Sequence, residues 1–198
     1  MINIERRELR DIVIAAVVLV LVFSYSGFSN LDGMVASLPA AVLGVAAGFI
    51  LHELAHRFFS RRFHHHAEFV LWREGLILAV VLAIVSNGAF TFAAPGAVMI
   101  SGRADLWGNV QHPSRQKYGI IALAGPIVNI VLALVFVAAA FVSTVFAPVL
   151  LFAASINAWL AAFNMIPVPP LDGSKVFRWD RRIWIAGIAV PVALMFLI

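Results

Sequence analysis

Long apolar runs, separated by short clusters of charge, make up most of this chain. The runs cover about residues 12–28, 34–56, 75–102, 119–147, 148–166 and 183–198. A helix needs about 20 mostly apolar residues to cross a hydrocarbon core of about 30 Å. Five of the runs qualify or nearly do, and residues 75–102 are the doubtful one. The pattern predicts an all-α membrane bundle with about five transmembrane helices.

The basic residues orient that bundle, because cytoplasmic flanks collect Lys and Arg. Arg6, Arg7 and Arg10 precede the first run, and Arg57, Arg61 and Arg62 follow the second. Lys175, Arg178, Arg181 and Arg182 follow residues 148–166, whereas the loop at Asn30 to Gly33 holds Asp32 and no basic residue. Both clusters and the N-terminus are therefore expected in the cytoplasm. An even number of crossings must then separate Arg62 from Lys175, and residues 119–166 already supply two. One more crossing by residues 75–102 would strand Arg103, Arg115 and Lys117 outside and carry Asp172 away from His56. Read as re-entrant, the segment leaves all 14 Lys and Arg on the cytoplasmic side. The expectation is a short buried helix over residues 75–86, then a β-hairpin over residues 90–100 turning at Pro95-Gly96, a turn-favouring dipeptide. Irregular backbone at membrane depth is tolerated only against protein or a water-filled cavity, so this hairpin should pack beside a functional site. The alternative is an ordinary third spanning helix.

Composition agrees: 63% of the residues are hydrophobic and 12% charged, against about half and a quarter in soluble domains. The chain reads as a single integral membrane domain over residues 1–198, with a core at about 34–173. The first run resembles a signal peptide, but it continues to about Phe28 with no Ala-x-Ala site after it, so a retained helix is expected. The net charge of +4 does not indicate nucleic acid, because the basic residues lie between apolar segments. With no Cys, a metal must be held by His, Asp or Glu. The longest polar loop is residues 105–117, and Trp72, Trp107, Trp159, Trp179 and Trp184 mostly fall near expected interfaces, as an aromatic belt does.

His52-Glu53-Leu54-Ala55-His56 matches H-E-x-x-H. Positions i and i+4 of a helix share a face one turn apart, so two imidazoles can converge on one Zn²⁺. Glu53, beside the first ligand, can reach the water that zinc activates and accept its proton. Ionisable groups inside a spanning helix usually mark function; otherwise these residues end the helix at the interface and pair with Arg57 or Arg61. Catalytic zinc normally has three protein ligands, and the candidates for the third are the carboxylates and the remaining histidines. Asp172 stands out: it follows an apolar helix on the same expected side as His56, after prolines that break the helix and before Gly173, which permits a tight turn.

These elements together resemble the site-2 protease family of intramembrane metalloproteases, which pair H-E-x-x-H with N-x-x-P-x-P-x-x-D-G on a later helix. The second motif stands here as Asn164 to Gly173, and Gly125-Pro126-Ile127-Val128-Asn129 resembles the family's G-P-x-x-N. The resemblance implies one zinc per chain, Asp172 as third ligand, Glu53 as general base, Asn164 as a polar stabiliser near the substrate carbonyl, and a membrane-associated hairpin after the first motif. Ala55 replaces the Gly usual in the family.

His64, His65 and His66 form either a solvated interfacial loop or a rival ligand set; adjacent side chains diverge, which favours the loop. His112 reads as a loop residue. Asn129 either lies near the substrate as a second polar contact, orients the Asn164 loop or the hairpin, or bridges two helices. Asn157 and Ser155 read as packing polars. The expected function is hydrolysis of peptide bonds in transmembrane segments of protein substrates, in the cell membrane, with N-terminus and active site towards the cytoplasm. Partners are then a transmembrane substrate and lipid, with no nucleic acid. The alternatives are a catalytically silent protein that binds membrane segments, and a metal-handling membrane protein, which would need ligands along a path through the bilayer.

Overall fold

The computed structural model of the protein describes residues 5–101, 103–104 and 110–198. Asp105 and Trp107 lie outside the described residues, as does the side chain of Arg103. The chain begins with α1 (Arg6–Ser24) and α2 (Leu31–Arg62), and its second half holds α4 (Arg115–Val142), α5 (Ala147–Asn164), α6 (Asp172–Trp179) and α7 (Arg181–Leu197). Among the described residues, three helices are long and apolar enough to cross a membrane: α2, α4 and α5. The other two expected spans differ from their runs. α1 starts earlier, taking Arg6, Arg7, Glu8, Arg10 and Asp11 into the helix, and stops at Ser24 rather than Phe28. α7 has 17 residues, about 26 Å at 1.5 Å per residue.

α2 starts where Asn30 Oδ1 accepts a hydrogen bond from Gly33 N at 3.1 Å. Its 32 residues extend about 48 Å, longer than a core of about 30 Å. Its last turns can therefore carry polar groups beyond the apolar stretch. α2, α4 and α5 pack against one another, and α1 lies along α2, joined by Ala15, Leu19, Ala41, Val45 and Phe49. A second stripe of α1, Leu9, Val13, Val17 and Leu21, is about half exposed at each position. The outer faces of the long helices are likewise apolar. A soluble monomer rarely exposes so much contiguous apolar surface; a lipid surround removes the conflict.

Two short sheets interrupt the helices, so the fold is mostly rather than wholly α. β1 (His66–Leu71) pairs antiparallel with β2 (Gly96–Ser101), setting Phe69 opposite Val98, and α3 (Arg73–Val85) lies between them in the chain. β3 (Arg103–Ala104) pairs with β4 (Val110–Gln111). The expected hairpin over residues 90–100 is thus corrected. β2 takes its partner from the residues after α2, and Phe90 to Pro95 form no strand. Pro95 lacks an N–H for a ladder, and this stretch is tied to α5 by Trp159 Nε1 donating to Thr91 O at 2.9 Å. The histidine run is not a plain solvated loop, since His65 is buried and His66 opens β1.

A buried charge pair fastens α1 to this framework. Glu8 pairs with Arg57 of α2, and Glu8 Oε1 also accepts from Phe69 N of β1 at 2.9 Å. Both side chains are at least nine-tenths buried. Removing one partner of a buried pair costs about 3–5 kcal/mol. Glu8→Ala should therefore lower stability by about 3 kcal/mol, measured as a fall in the unfolding midpoint in detergent, with Glu8→Gln losing less.

Candidate metal centre

His52 and His56 lie one turn apart on α2 with ring centroids 4.6 Å apart, and both are buried. Asp172 reaches them from another direction. After α5 the chain runs through a Pro-rich loop and starts α6 at Asp172. A Cβ on Gly173 would collide with the Met165 carbonyl, so glycine there lets α6 press against the end of α5 and fixes the depth of the carboxylate.

Three atoms converge. His56 Nε2 is 2.9 Å from His52 Nε2, Asp172 Oδ2 is 2.9 Å from His56 Nε2, and Asp172 Oδ2 is 3.2 Å from His52 Nε2. The hydrogen-bond network behind them decides what these atoms are. Asn157 Nδ2 faces the carbonyls of Gly44 at 3.2 Å and Ala153 at 2.9 Å, so it must donate. Its Oδ1 then accepts from Asn129 Nδ2 at 3.0 Å, which turns Asn129 Oδ1 towards His52 Nδ1 at 2.6 Å. His52 Nδ1 is therefore the protonated nitrogen. His56 Nδ1 faces the Ile121 carbonyl at 2.7 Å and is protonated for the same reason. In the neutral rings both Nε2 atoms then carry lone pairs, and these gather with a carboxylate oxygen. Three acceptors in contact repel one another unless a cation sits among them. Tetrahedral zinc with nitrogen and oxygen bonds of about 2.0–2.1 Å separates its ligands by about 3.3 Å; a shift of a few tenths of an ångström would admit it. The residues present fit zinc.

Lys175 Nζ lies 3.0 Å from Asp172 Oδ1, occupying one carboxylate oxygen and leaving Oδ2 for the centre. Burial alone would lower the pKa of Lys175, but the Asp172 carboxylate, with Tyr118 and Glu53 adding to it, more than offsets this and raises it. Gly125 of α4 faces the two imidazoles: a Cβ there would lie 2.5 Å from His52 Nε2 and 2.6 Å from His56 Nε2, so glycine keeps the seat open.

Glu53, His56 and Asp172 share a cleft with Gly96, Ala97 and Val98 of β2, Asn164, Pro170 and Leu171. Glu53 Oε2 is buried without a hydrogen-bond partner among the described residues, and Arg57 pairs with Glu8. One amide hydrogen of Asn164 is donated to Leu160 O at 2.9 Å; Nδ2 carries a second. The expected residues His52, Glu53, His56, Asp172 and Asn164 thus come together. Asn129 does not line the cleft. It is fully buried behind His52, with its amide spent on His52 and Asn157. Among the described residues, His52, His56 and Asp172 are the group placed to hold a metal, and neither His64 to His66 nor His112 joins them.

Sequence reasoning missed Asn157, Lys175 and the steric role of Gly125. Only Gly125 carried a signal, as part of the Gly-Pro pair on α4. Partners that orient a metal-binding His are worth about 10–100-fold in affinity. Asn157→Leu removes the link that orients Asn129, so zinc should bind about 10–100-fold more weakly in a competition titration, with the helical circular dichroism unchanged.

Known proteins resemble this chain in sequence. The sequence model of peptidase family M50 matches residues 40–146, a stretch that includes His52, Glu53, His56, Gly125 and Asn129 but not Asp172. A protein of Methanocaldococcus jannaschii named "Putative zinc metalloprotease" is 37% identical over 194 residues, covering 95% of this chain and 92% of the relative. No solved structure matches.

Proposed function

The chain belongs to peptidase family M50, and on that premise we propose that it is an intramembrane metalloendopeptidase cutting peptide bonds in the transmembrane segments of other proteins. The observation that carries this is the set of three acceptor atoms, two imidazole nitrogens and a carboxylate oxygen, gathered inside an apolar-faced bundle beside Glu53, whose Oε2 has no partner among the described residues. Zinc held by His52, His56 and Asp172 would supply Lewis acidity to the scissile carbonyl and to the attacking water.

The protein's own groups do the rest. Glu53 takes a proton from the water as its oxygen adds to the carbonyl carbon, then returns that proton to the amine as the C–N bond breaks. Asn164 donates its second amide hydrogen to the carbonyl oxygen as negative charge builds there. Asn129 and Ile121 O hold the imidazoles, and Lys175 holds Asp172. The substrate helix unwinds and adds as a strand along β2. That strand lines the cleft, and its outer edge has no strand partner among the described residues. Strand addition satisfies the substrate's backbone and presents its carbonyl.

In the membrane, α1 and α7 join α2, α4 and α5 as five crossings, with the N-terminus and metal centre towards the cytoplasm of the cell membrane. The 13 residues of α3 reach only about 20 Å, too short for a core of about 30 Å. That length favours an excursion entering and leaving on one side. The test is reconstitution in lipid vesicles with a single-span protein substrate. Cleavage should stop on chelation and return with stoichiometric zinc; cleavage that survives complete removal of metal would refute the assignment.

A further inference from the structure

A second cavity, of about 240 Å³, opens between α1 and α2. Its walls are Ile12, Val13 and Ala16 of α1, Ile50 of α2, and the cross-strand neighbours Phe69 and Val98. Glu53, Glu8 and Arg57 line it as well. The carboxylate of Glu8 is already engaged by Arg57 and the Phe69 N–H, so Glu8 does not invite a polar guest. The volume falls below the about 300–1,000 Å³ of sites that take a whole small molecule. It exceeds several times the about 30 Å³ of one water.

Its position links it to the metal centre. Glu53 and Val98 line both this cavity and the cleft that holds His56 and Asp172. Whatever fills the cavity therefore borders the base itself. Strand geometry supplies the occupant. Side chains alternate between the two faces of a sheet, so a strand added to β2 sends every second side chain to the face that carries Val98 and Phe69. The opposite edge of β1 cannot serve, because Glu8 holds the Phe69 N–H there.

We propose that this cavity is a specificity subsite, receiving the side chain of one of the two substrate residues that flank the scissile bond and selecting a large apolar one such as Leu or Phe. The inference rests on the protease reading above and adds a preference to it.

The experiment uses zinc-loaded full-length protein in vesicles and single-span substrates carrying Ala, Leu, Phe or Asp at each flanking position in turn. At one flank the wild type should prefer Leu or Phe over Asp by about tenfold or more, because a pocket distinguishes side chains by about 10–200-fold per methylene. Ala16→Phe fills the cavity, and the ratio of kcat/KM for Leu over Ala should drop about tenfold. Ile12→Ala widens it and should move the preference towards Phe. Zinc stoichiometry, measured alongside, shows that each variant is folded at the centre. Ratios that stay the same in the wild type and both variants, with cleavage intact, overturn the subsite and leave the protease reading standing; a lipid-filled cavity would give that result. If the zinc-loaded wild type cuts no member of the set, the protease reading fails and the subsite falls with it.

Discussion

Replacing Glu53 with Gln should reduce cleavage of a membrane substrate by on the order of 10²–10⁴-fold, the usual contribution of general acid–base catalysis, while zinc remains bound at one per chain. Gln keeps the size and hydrogen-bonding reach of Glu but cannot take a proton. Glu53 is not among the three residues whose ligand atoms converge, so its loss leaves the metal seat intact. The buried Oε2 lacks a partner among the described residues, so no structural bond made by that atom is lost either. The measurement is single-turnover cleavage beside zinc content. Retained cleavage would remove Glu53 from the mechanism; loss of zinc together with cleavage would recast it as a metal-site residue.

Asp172→Ala should have the second large effect, this time on the metal. The variant leaves two imidazoles, one fewer ligand than catalytic zinc normally has, and purified protein should contain little zinc after dialysis. It also strips Lys175, whose side chain is 16% exposed, of its carboxylate. Part of any loss could then come from unfolding, since breaking a buried pair costs about 3–5 kcal/mol. Asp172→Asn separates the two effects. It keeps the shape and an oxygen for Lys175 but removes the negative charge from the centre. Zinc affinity should still drop by more than the about 100-fold upper range for an orienting partner, with the unfolding midpoint closer to wild type. If Asp172→Ala retains stoichiometric zinc, another residue completes the site.

Which parts of this account were legible in the sequence follows from the range of the interactions. His52, Glu53 and His56 could be read because the helix period alone puts both imidazoles on one face, and the long apolar run fixed α2 around them. Asp172, 120 residues from His52, needed the motif resemblance and the side assignment from basic residues. The chain from Asn157 through Asn129 to His52 could not be read. Its links span 28 and 77 residues, and an amide in an apolar helix carries no mark of its partner. β1 was hidden because the histidine run drew attention to loop character, although Ala67 and Phe69 alternate as buried positions. Arg57 stood in the orientation argument as a flanking charge, and only folding shows it paired with Glu8. α1 misled at both ends: the apolar run gave no sign that charged residues join its first turns.

The most direct test is to map, by mass spectrometry, the products that zinc-loaded wild-type protein makes from a single-span substrate in lipid vesicles, with Glu53→Gln protein of equal zinc content alongside. The account predicts one or a few cuts within the membrane-spanning segment, absent with Glu53→Gln. Cuts confined to the water-exposed flanks, or the same fragments from both proteins, would contradict it.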